Sequence, residues 1–401
     1  MDIRISLRLA VAAAAAFVTS AVLCKAQTID DVSLFKRQSE KIIPVRARPD
    51  TVSLLFLGDI MMHANQISTS EKLSGVKSNV KSGLSSTAFD FSSYFKNIIK
   101  DIRNANLAIG NMEFTLGGEP YTGYPAFSAP DSFAEYLANC GFDILLTANN
   151  HILDKGKKGY ERTMRICDSL KIKYGTMTTG SGANQNQYLR NNPLITEIKG
   201  IRIAFANFTY GTNACISGEF PKISRENTEG VKSIIDRAKE YGADYIIALP
   251  HWGDEYRLGH SEAQEKTASI LAEAGADIII GSHPHVVQDS LSISIKDSGK
   301  NVPVTFSLGN TVSNMSAVNT QTGLMLTIKL TKLENGVTKL ISHNYDYLWC
   351  SLPGRLTENH TVIKTKDYIG RKDLWIMPYE YDKMLDSYYR VQAKTGIKDR
   401  K

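Results

Sequence analysis

The chain has 401 residues, 42% of them hydrophobic and 22% charged, ordinary values for a globular protein able to bury a sizeable core. Its formal charge is +6; Arg4, Arg8 and Lys25 against Asp2 supply +2, so residues from 27 onward carry about +4. That is too little and too evenly spread to support nucleic-acid binding. None of the cysteines forms a Cys-x-x-Cys pair, which leaves thiol zinc sites and redox motifs unsupported.

The first residues, MDIRISLRLAVAAAAAFVTSAVLCKAQT, place two arginines before a mostly apolar run over 9–23 and then small residues. This three-part layout predicts a signal peptide over 1–26 cleaved after Ala26, and the run is short for a membrane span. The expected location is periplasmic or cell-envelope associated. An uncleaved anchor is the alternative. Cys24 invites lipid anchoring, against which stands the bulky Leu23. Residues 27–50 read as a polar leader. Cys140, Cys167, Cys215 and Cys350 would remain after cleavage, the first two as apolar helix-face positions.

The domain is expected over 51–349. VSLLFLGD (52–59) is a buried strand ending in a glycine and a carboxylate, and the Ser/Lys/Gly/Asn-rich stretch 64–88 reads as a loop or insertion. A helix around 91–104 leads into a second strand, ANLAIGNMEF (105–114). TLGGEPYTGYPAFSAP is a Gly/Pro/Tyr loop of the kind that walls a site.

One device then occurs three times. FAEYLANCGFDILLTANNH, IIDRAKEYGADYIIALPHWG and ILAEAGADIIIGSHPH each run helix, glycine, aspartate, apolar strand and polar end. Gly141, Gly242 and Gly275 stand where a helix C-cap wants positive φ. The near-continuous apolar runs predict strands buried on both faces, with their polar residues gathered at the carboxyl ends, where open α/β sheets bind ligands. Beyond residue 310, GLMLTIKLTKLENGVTKLISHNYDYLW alternates around ENG and predicts a β-hairpin. Residues 350–401 read as an appended, partly helical segment.

The strand ends supply Asp59, Asn111, Glu113, Asn150, His151, His251, His283 and His285. Mixed oxygen and nitrogen donors without thiolates suit Zn²⁺, Mn²⁺ or Fe²⁺, one or two ions, and a carboxylate can bridge a pair. In an extended His-Pro-His segment residues i and i+2 point the same way, so both imidazoles are expected to face one cavity. Singly, each residue has a plainer role: a hydrogen-bonded histidine, a capping aspartate, an Asn-Asn turn. Their joint occurrence at five strand ends points to a polar functional site.

The ordered blocks LGDIMMH, GNMEF, TANNHILDKGKKG, PHWGDEY, GSHPHVVQ and FSLGN, spanning roughly 52–312, resemble the CapA family of bacterial poly-γ-glutamate capsule synthesis proteins. The resemblance implies a calcineurin-like metallophosphoesterase fold: a mixed α/β, two-sheet β-sandwich flanked by helices in four layers. It implies Asp59, Glu113, Asn150, His251, His283 and His285 as metal ligands, with His151 catalytic and Asp154 orienting it. His63, Asn111, Trp252, Glu255 and Asn310 are the implied substrate contacts. One departure stands out: phosphoesterases carry Asp-x-His in the first block, and position 61 here is methionine. The leading expectation is an exported metal-dependent hydrolase or transferase of a poly-γ-glutamate-type anionic polymer, cutting a phosphoester or γ-glutamyl amide. A non-catalytic polymer-binding export protein with envelope or membrane assembly partners, and a plain exported phosphoesterase, are the alternatives.

Overall fold

The computed structural model describes residues 51–75 and 89–400; the expected signal peptide and leader lie outside the described residues. Two sheets dominate. The first runs in the order β16 (Thr361–Lys364), β15 (Thr338–Ser351), β14 (Thr322–Lys332), β1 (Thr51–Ile60), β2 (Leu107–Met112), β3 (Ile144–Leu146) and β4 (Met177–Thr179), with β13 (Asn310–Val312) also paired to β1. The second runs β11 (Ser290–Ser294), β12 (Asn301–Thr305), β10 (Ile278–Ile280), β9 (Tyr245–His251), β7 (Ile201–Thr209) and β6 (Leu194–Ile198). A small pair, β5 (Ser181–Gly182) and β8 (Lys222–Ile223), stands apart.

Strand alternation builds the layers. Leu54, Phe56, Ile109 and Ile144 of the first sheet share one core with Phe205, Ile247, Leu249 and Ile278 of the second, so the sheets pack face to face. The intervening residues point outward: Leu55, Ala108 and Leu145 meet α2 (Ile99–Asn104), α3 (Asp131–Cys140) and α4 (Gly156–Tyr174). On the far side Ala204, Ile246 and Ile279 meet α6 (Thr228–Glu240) and α7 (Glu262–Ala274). The result is helices, sheet, sheet, helices, the mixed α/β sandwich expected from the sequence. Among the described residues no helix is long and apolar enough to cross a membrane.

The repeated glycine-aspartate device has a clear purpose. Gly141 and Gly275 cap α3 and α7 with φ of 104° and 118°, and Gly242 follows α6 with φ of 69°. Each following aspartate then grips the neighbouring strand. Asp143 Oδ2 accepts the Ala108 N–H at 2.7 Å, Asp277 Oδ2 that of Ile246 at 2.7 Å, and Asp244 Oδ2 that of Arg202 at 2.8 Å. The aspartate N–H groups donate back to the same residues' carbonyls, so each joint sets the register of a parallel pair.

Several expectations need correction. The stretch 64–88 is not all loop: α1 (Ala64–Leu73) is a helix. Its buried face is Gln66, Ile67 and Ser70, and the two polar residues are satisfied by the Met61 carbonyl and the Tyr94 hydroxyl, so no apolar period marks it. The helix expected over 91–104 is confined to α2, with turns before it. Residues 350–401 are not appended. β16 extends the first sheet, and Tyr388 and Val391 of α8 (Pro378–Thr395) enter the sandwich core. Buried Asp346 takes Lys366 Nζ at 2.7 Å and the Arg400 guanidinium at 2.9 Å, tying the chain end down. The ENG hairpin is present between β14 and β15, and all four remaining cysteines are free.

Replacing Asp143 by alanine leaves the Ala108 N–H without its acceptor and should lower stability by about 1–2 kcal/mol, whereas Asp143→Asn, which keeps an acceptor oxygen, should lose less. Urea unfolding of the two variants checks this.

Candidate metal centre

The carboxyl ends of β1, β2 and β3 from one sheet meet those of β9 and β10 from the other, and the polar residues that end them converge. Close backbone approach allows it. A Cβ on Gly58 would lie 1.9 Å from the Gly309 carbonyl oxygen, and one on Gly281 would lie 2.0 Å from that of Phe306. Only glycine fits immediately before Asp59 and before the Ser282–His283 turn.

Glu113 is the centre of the cluster. It is fully buried, and neither carboxylate oxygen has a hydrogen-bond partner. Its Oε1 lies 3.7 Å from His251 Nε2 and 3.8 Å from His285 Nε2, too far for hydrogen bonds. Asp59, also fully buried, sits beside it, with Oδ2 3.4 Å from His285 Nδ1 and Oδ1 accepting from Asn111 Nδ2 at 2.7 Å. Two trios bring donor atoms within 4.8 Å of one another: Asp59, Glu113 and His251, and Glu113, His283 and His285. Glu113 is common to both, as a bridging carboxylate would be.

The electrostatics ask for a cation. Burial first, then the charges of Asp59 and Glu255, push the Glu113 carboxyl well above its usual range. Burial, with His283 and His285 nearby, holds His251 well below the ordinary imidazole value, and His283 falls to about 3 chiefly by burial. Burial opposes charge on His285 too, but the hydrogen bond and charge of Asp59 outweigh it and raise its value. An unpartnered buried carboxylate beside largely neutral imidazoles, one of which has an unpartnered Nδ1 (His283), fits a divalent metal. The donors are oxygen and nitrogen only.

The remaining residues divide by position. His151 Nδ1 is 2.7 Å from Asp154 Oδ2, which also accepts the Phe127 N–H at 2.8 Å; Phe127 packs edge-on against the imidazole at 4.6 Å. Asn150 Oδ1 is 2.8 Å from His251 Nε2, across the gap between the sheets. His63, half-buried, packs edge-on with Phe127 at 5.2 Å, and burial lowers its pKa to about 4. Glu255 is exposed, yet its charge reaches Glu113, which places it at the rim.

Of the expected substrate contacts, Asn111 and Asn310 hydrogen-bond to residues of the cluster and Trp252 packs in the core. Asn111 stands behind the ligands, with Nδ2 on Asp59 and 3.2 Å from His251 Nδ1. Asn310 also backs a ligand: its Oδ1 is 3.0 Å from His285 Nδ1 and its Nδ2 donates to the Thr320 carbonyl. Trp252 is fully buried, stacked on Phe306 with its indole N–H donated to the Phe306 carbonyl, so it offers no face to a polymer. The His-Pro-His segment is not extended. His283 and His285 have φ of 102° and 58°, so a left-handed turn, rather than strand alternation, brings their rings to 5.8 Å.

Sequence reasoning missed the end of β7. Tyr210 follows it, with its ring 4.6 Å from that of His283, and Asn213 Nδ2 lies 3.2 Å from His151 Nδ1. It also missed Asn207, whose buried amide donates to the Leu249 carbonyl and accepts from the Ala148 N–H, joining the two sheets behind the site. The signal was available: IRIAFANFTYGTN is a further apolar strand with a polar end. Tyr256 at the rim, 6.4 Å from His285, had no comparable mark.

Among proteins of known name, the chain is 27% identical over 297 residues to the capsule biosynthesis protein CapA of Bacillus anthracis, covering 71% of this chain and 66% of that one. It is 27% identical over 202 residues to the PGA biosynthesis protein CapA of Bacillus subtilis (strain 168), covering 50% of each. The chain thus spans about half to two thirds of the length of these relatives. Among solved structures it is similar to the Haemophilus influenzae NAD nucleotidase NadN, with a TM-score of 0.43 and 13% identity over 88% of this chain and 65% of that one. It is similar also to the Thermus thermophilus sulfate thiohydrolase SoxB, with a TM-score of 0.37 and 12% identity over 88% and 62%. The family model for the bacterial capsule synthesis protein PGA_cap matches residues 53–315, which hold every proposed ligand and more than half of the sequence. This chain belongs to that family.

Proposed function

We propose that this chain is an exported capsule or envelope protein that processes an anionic polymer of the poly-γ-glutamate type at a metal-dependent, hydrolase-like site. The observation that carries the reading is Glu113, a buried carboxylate with no hydrogen-bond partner, shared by two groups of ligand-competent side chains. Two trios with one common carboxylate favour two ions of Mn, Zn or Fe. Bound there, such ions would polarise the oxygen of a phosphoester or a γ-glutamyl amide.

The chain's own residues supply the rest. Asp154 fixes the His151 ring through Nδ1, leaving Nε2 to deliver a proton to the leaving group. Asn150 spans from one sheet to His251 of the other, and Asn310 and Asn111 hold His285 and Asp59 in place. Tyr210, Tyr256 and Glu255 form a half-apolar, acidic rim. A second reading, polymer binding without turnover, draws on Met61: it is buried and contributes no ligand where phosphoesterases place a histidine. Envelope assembly partners belong to that reading.

Dialysed protein should take up one or two equivalents of Mn²⁺ or Zn²⁺ and gain about 2.7 kcal/mol of stability at a hundredfold excess over Kd, read by calorimetry. The Asp59→Ala/His285→Ala variant should show neither effect. Glu113→Gln removes an ionisable group whose burial is costly in either protonation state, so its metal-free form should be more stable than the parent by about 1–3 kcal/mol while its metal-dependent gain shrinks. A metal-free variant no more stable than the parent would count against that burial cost.

With a polymer substrate, His151→Ala should reduce turnover by about 10²–10⁴-fold with metal content unchanged. Retained turnover would remove His151 from the proposed role. Metal uptake and polymer affinity with no cleavage by the parent chain would establish the binding reading instead.

A further inference from the structure

A cleft of about 290 Å³ opens between α8 and the loop that joins β13 to β14, and none of the residues lining it belongs to the histidine cluster. Its floor is Trp349, which is 1% exposed and whose indole N–H has no hydrogen-bond partner among the described residues. Exposed Val318 and Tyr379 supply apolar walls. One face of α8 supplies the charge, through Lys383, Asp386 and Arg390.

The charges are arranged in an uncommon way. Asp386 and Arg390 are four residues apart on a helix, the spacing at which opposite charges ordinarily pair. They do not pair here. Arg390 Nε is instead turned onto Asn319 Oδ1 at 3.0 Å, and Asn319 is held with φ of 70°. Lys383 Nζ is likewise drawn toward the loop, onto Gln321 Oε1 at 2.5 Å, and lies 3.9 Å from Glu380 Oε1 on its own helix. Asp386 is therefore left without a cationic partner among the described residues. The other lining carboxylate, Asp382, is engaged by Lys372 at 2.6 Å. The cleft thus presents two cations drawn toward the loop, one free carboxylate and an apolar wall.

We propose that this cleft is a second ligand site, taking a small zwitterion of amino-acid or dipeptide size. Its carboxylate would lie on Arg390 and Lys383, its ammonium would lie on Asp386, and its apolar side chain would rest on Val318 and Tyr379. A simple anion leaves Asp386 repelling it, and a simple cation leaves Arg390 and Lys383 doing so; a zwitterion satisfies both. The inference does not depend on the reading of the histidine cluster.

The probe is glycyl-leucine, titrated calorimetrically into the purified full chain, beside its N-acetylated and C-amidated forms, each of which removes one charge. The expected result is saturable one-to-one binding by glycyl-leucine, weakened about tenfold or more in either capped form. Arg390→Ala and Asp386→Asn should each weaken it about tenfold. Both lie on the exposed face of α8, and an unchanged melting temperature confirms that the variants fold. Asp59→Ala/His285→Ala should bind the dipeptide as the parent does. Absence of saturable binding in the millimolar range, binding indifferent to either charge or to both α8 variants, or binding lost in the Asp59→Ala/His285→Ala chain would each overturn the proposal.

Discussion

A fully buried acidic pair, Glu113 beside Asp59, is the constraint around which this molecule is organised. The Glu113 carboxyl has no access to water and neither of its oxygens has a hydrogen-bond partner, and Asp59 sits beside it. Burying an ion without a partner costs several kcal/mol. Burial favours the neutral forms of His251 and His283, and only His285 among these three imidazoles is drawn toward charge, by Asp59. A divalent cation reverses the balance: the same carboxylates become ligands, and neutral imidazole is the form that binds metal. The asparagines behind the cluster make sense in this light. Asn111 and Asn310 leave their residues as ligands while fixing where those ligands point.

The sandwich makes the cluster possible by ending strands of both sheets at one place. Asp59 and Glu113 come from the first sheet, and His251, His283 and His285 from the second, so the centre lies across the junction between two layers that alternation alone would only stack. Asn207 makes the junction specific, bonding Ala148 on one side and Leu249 on the other. The glycine-aspartate joints fix strand register at the opposite ends, and Gly58 and Gly281 let the backbones close up beneath the ligands. Left-handed conformations at His283 and His285 are the local cost.

Much of this was legible in the sequence where one local signal was enough. Near-continuous apolar runs gave the strands, glycine and aspartate gave the helix-to-strand joints, and ENG gave the hairpin. The gathering of polar residues at strand ends followed, because a strand that is buried on both faces can place polar residues only at its ends. What failed to show has physical causes. The helix α1 buries Gln66 and Ser70 through hydrogen bonds, so it carries no apolar stripe. The short strand β16 and the polar face of α8 look like an appendage until Asp346 and the sandwich core are seen to hold them. Trp252 beside His251 suggested a binding face because adjacency along the chain says nothing about which way a side chain turns after a strand ends.

The sequence by itself therefore determined which chemistries are available: oxygen and nitrogen ligands, a histidine with an aspartate three residues on, strands with polar ends, and the family to which they point. The tertiary structure decided which of those residues share a cavity and which stand behind it. That Glu113 is common to two trios, that Asn310 serves a histidine, and that Trp252 belongs to the core are facts of packing between elements far apart in the chain. Periodicity reports which face of an element is buried; it carries no information on what that face meets.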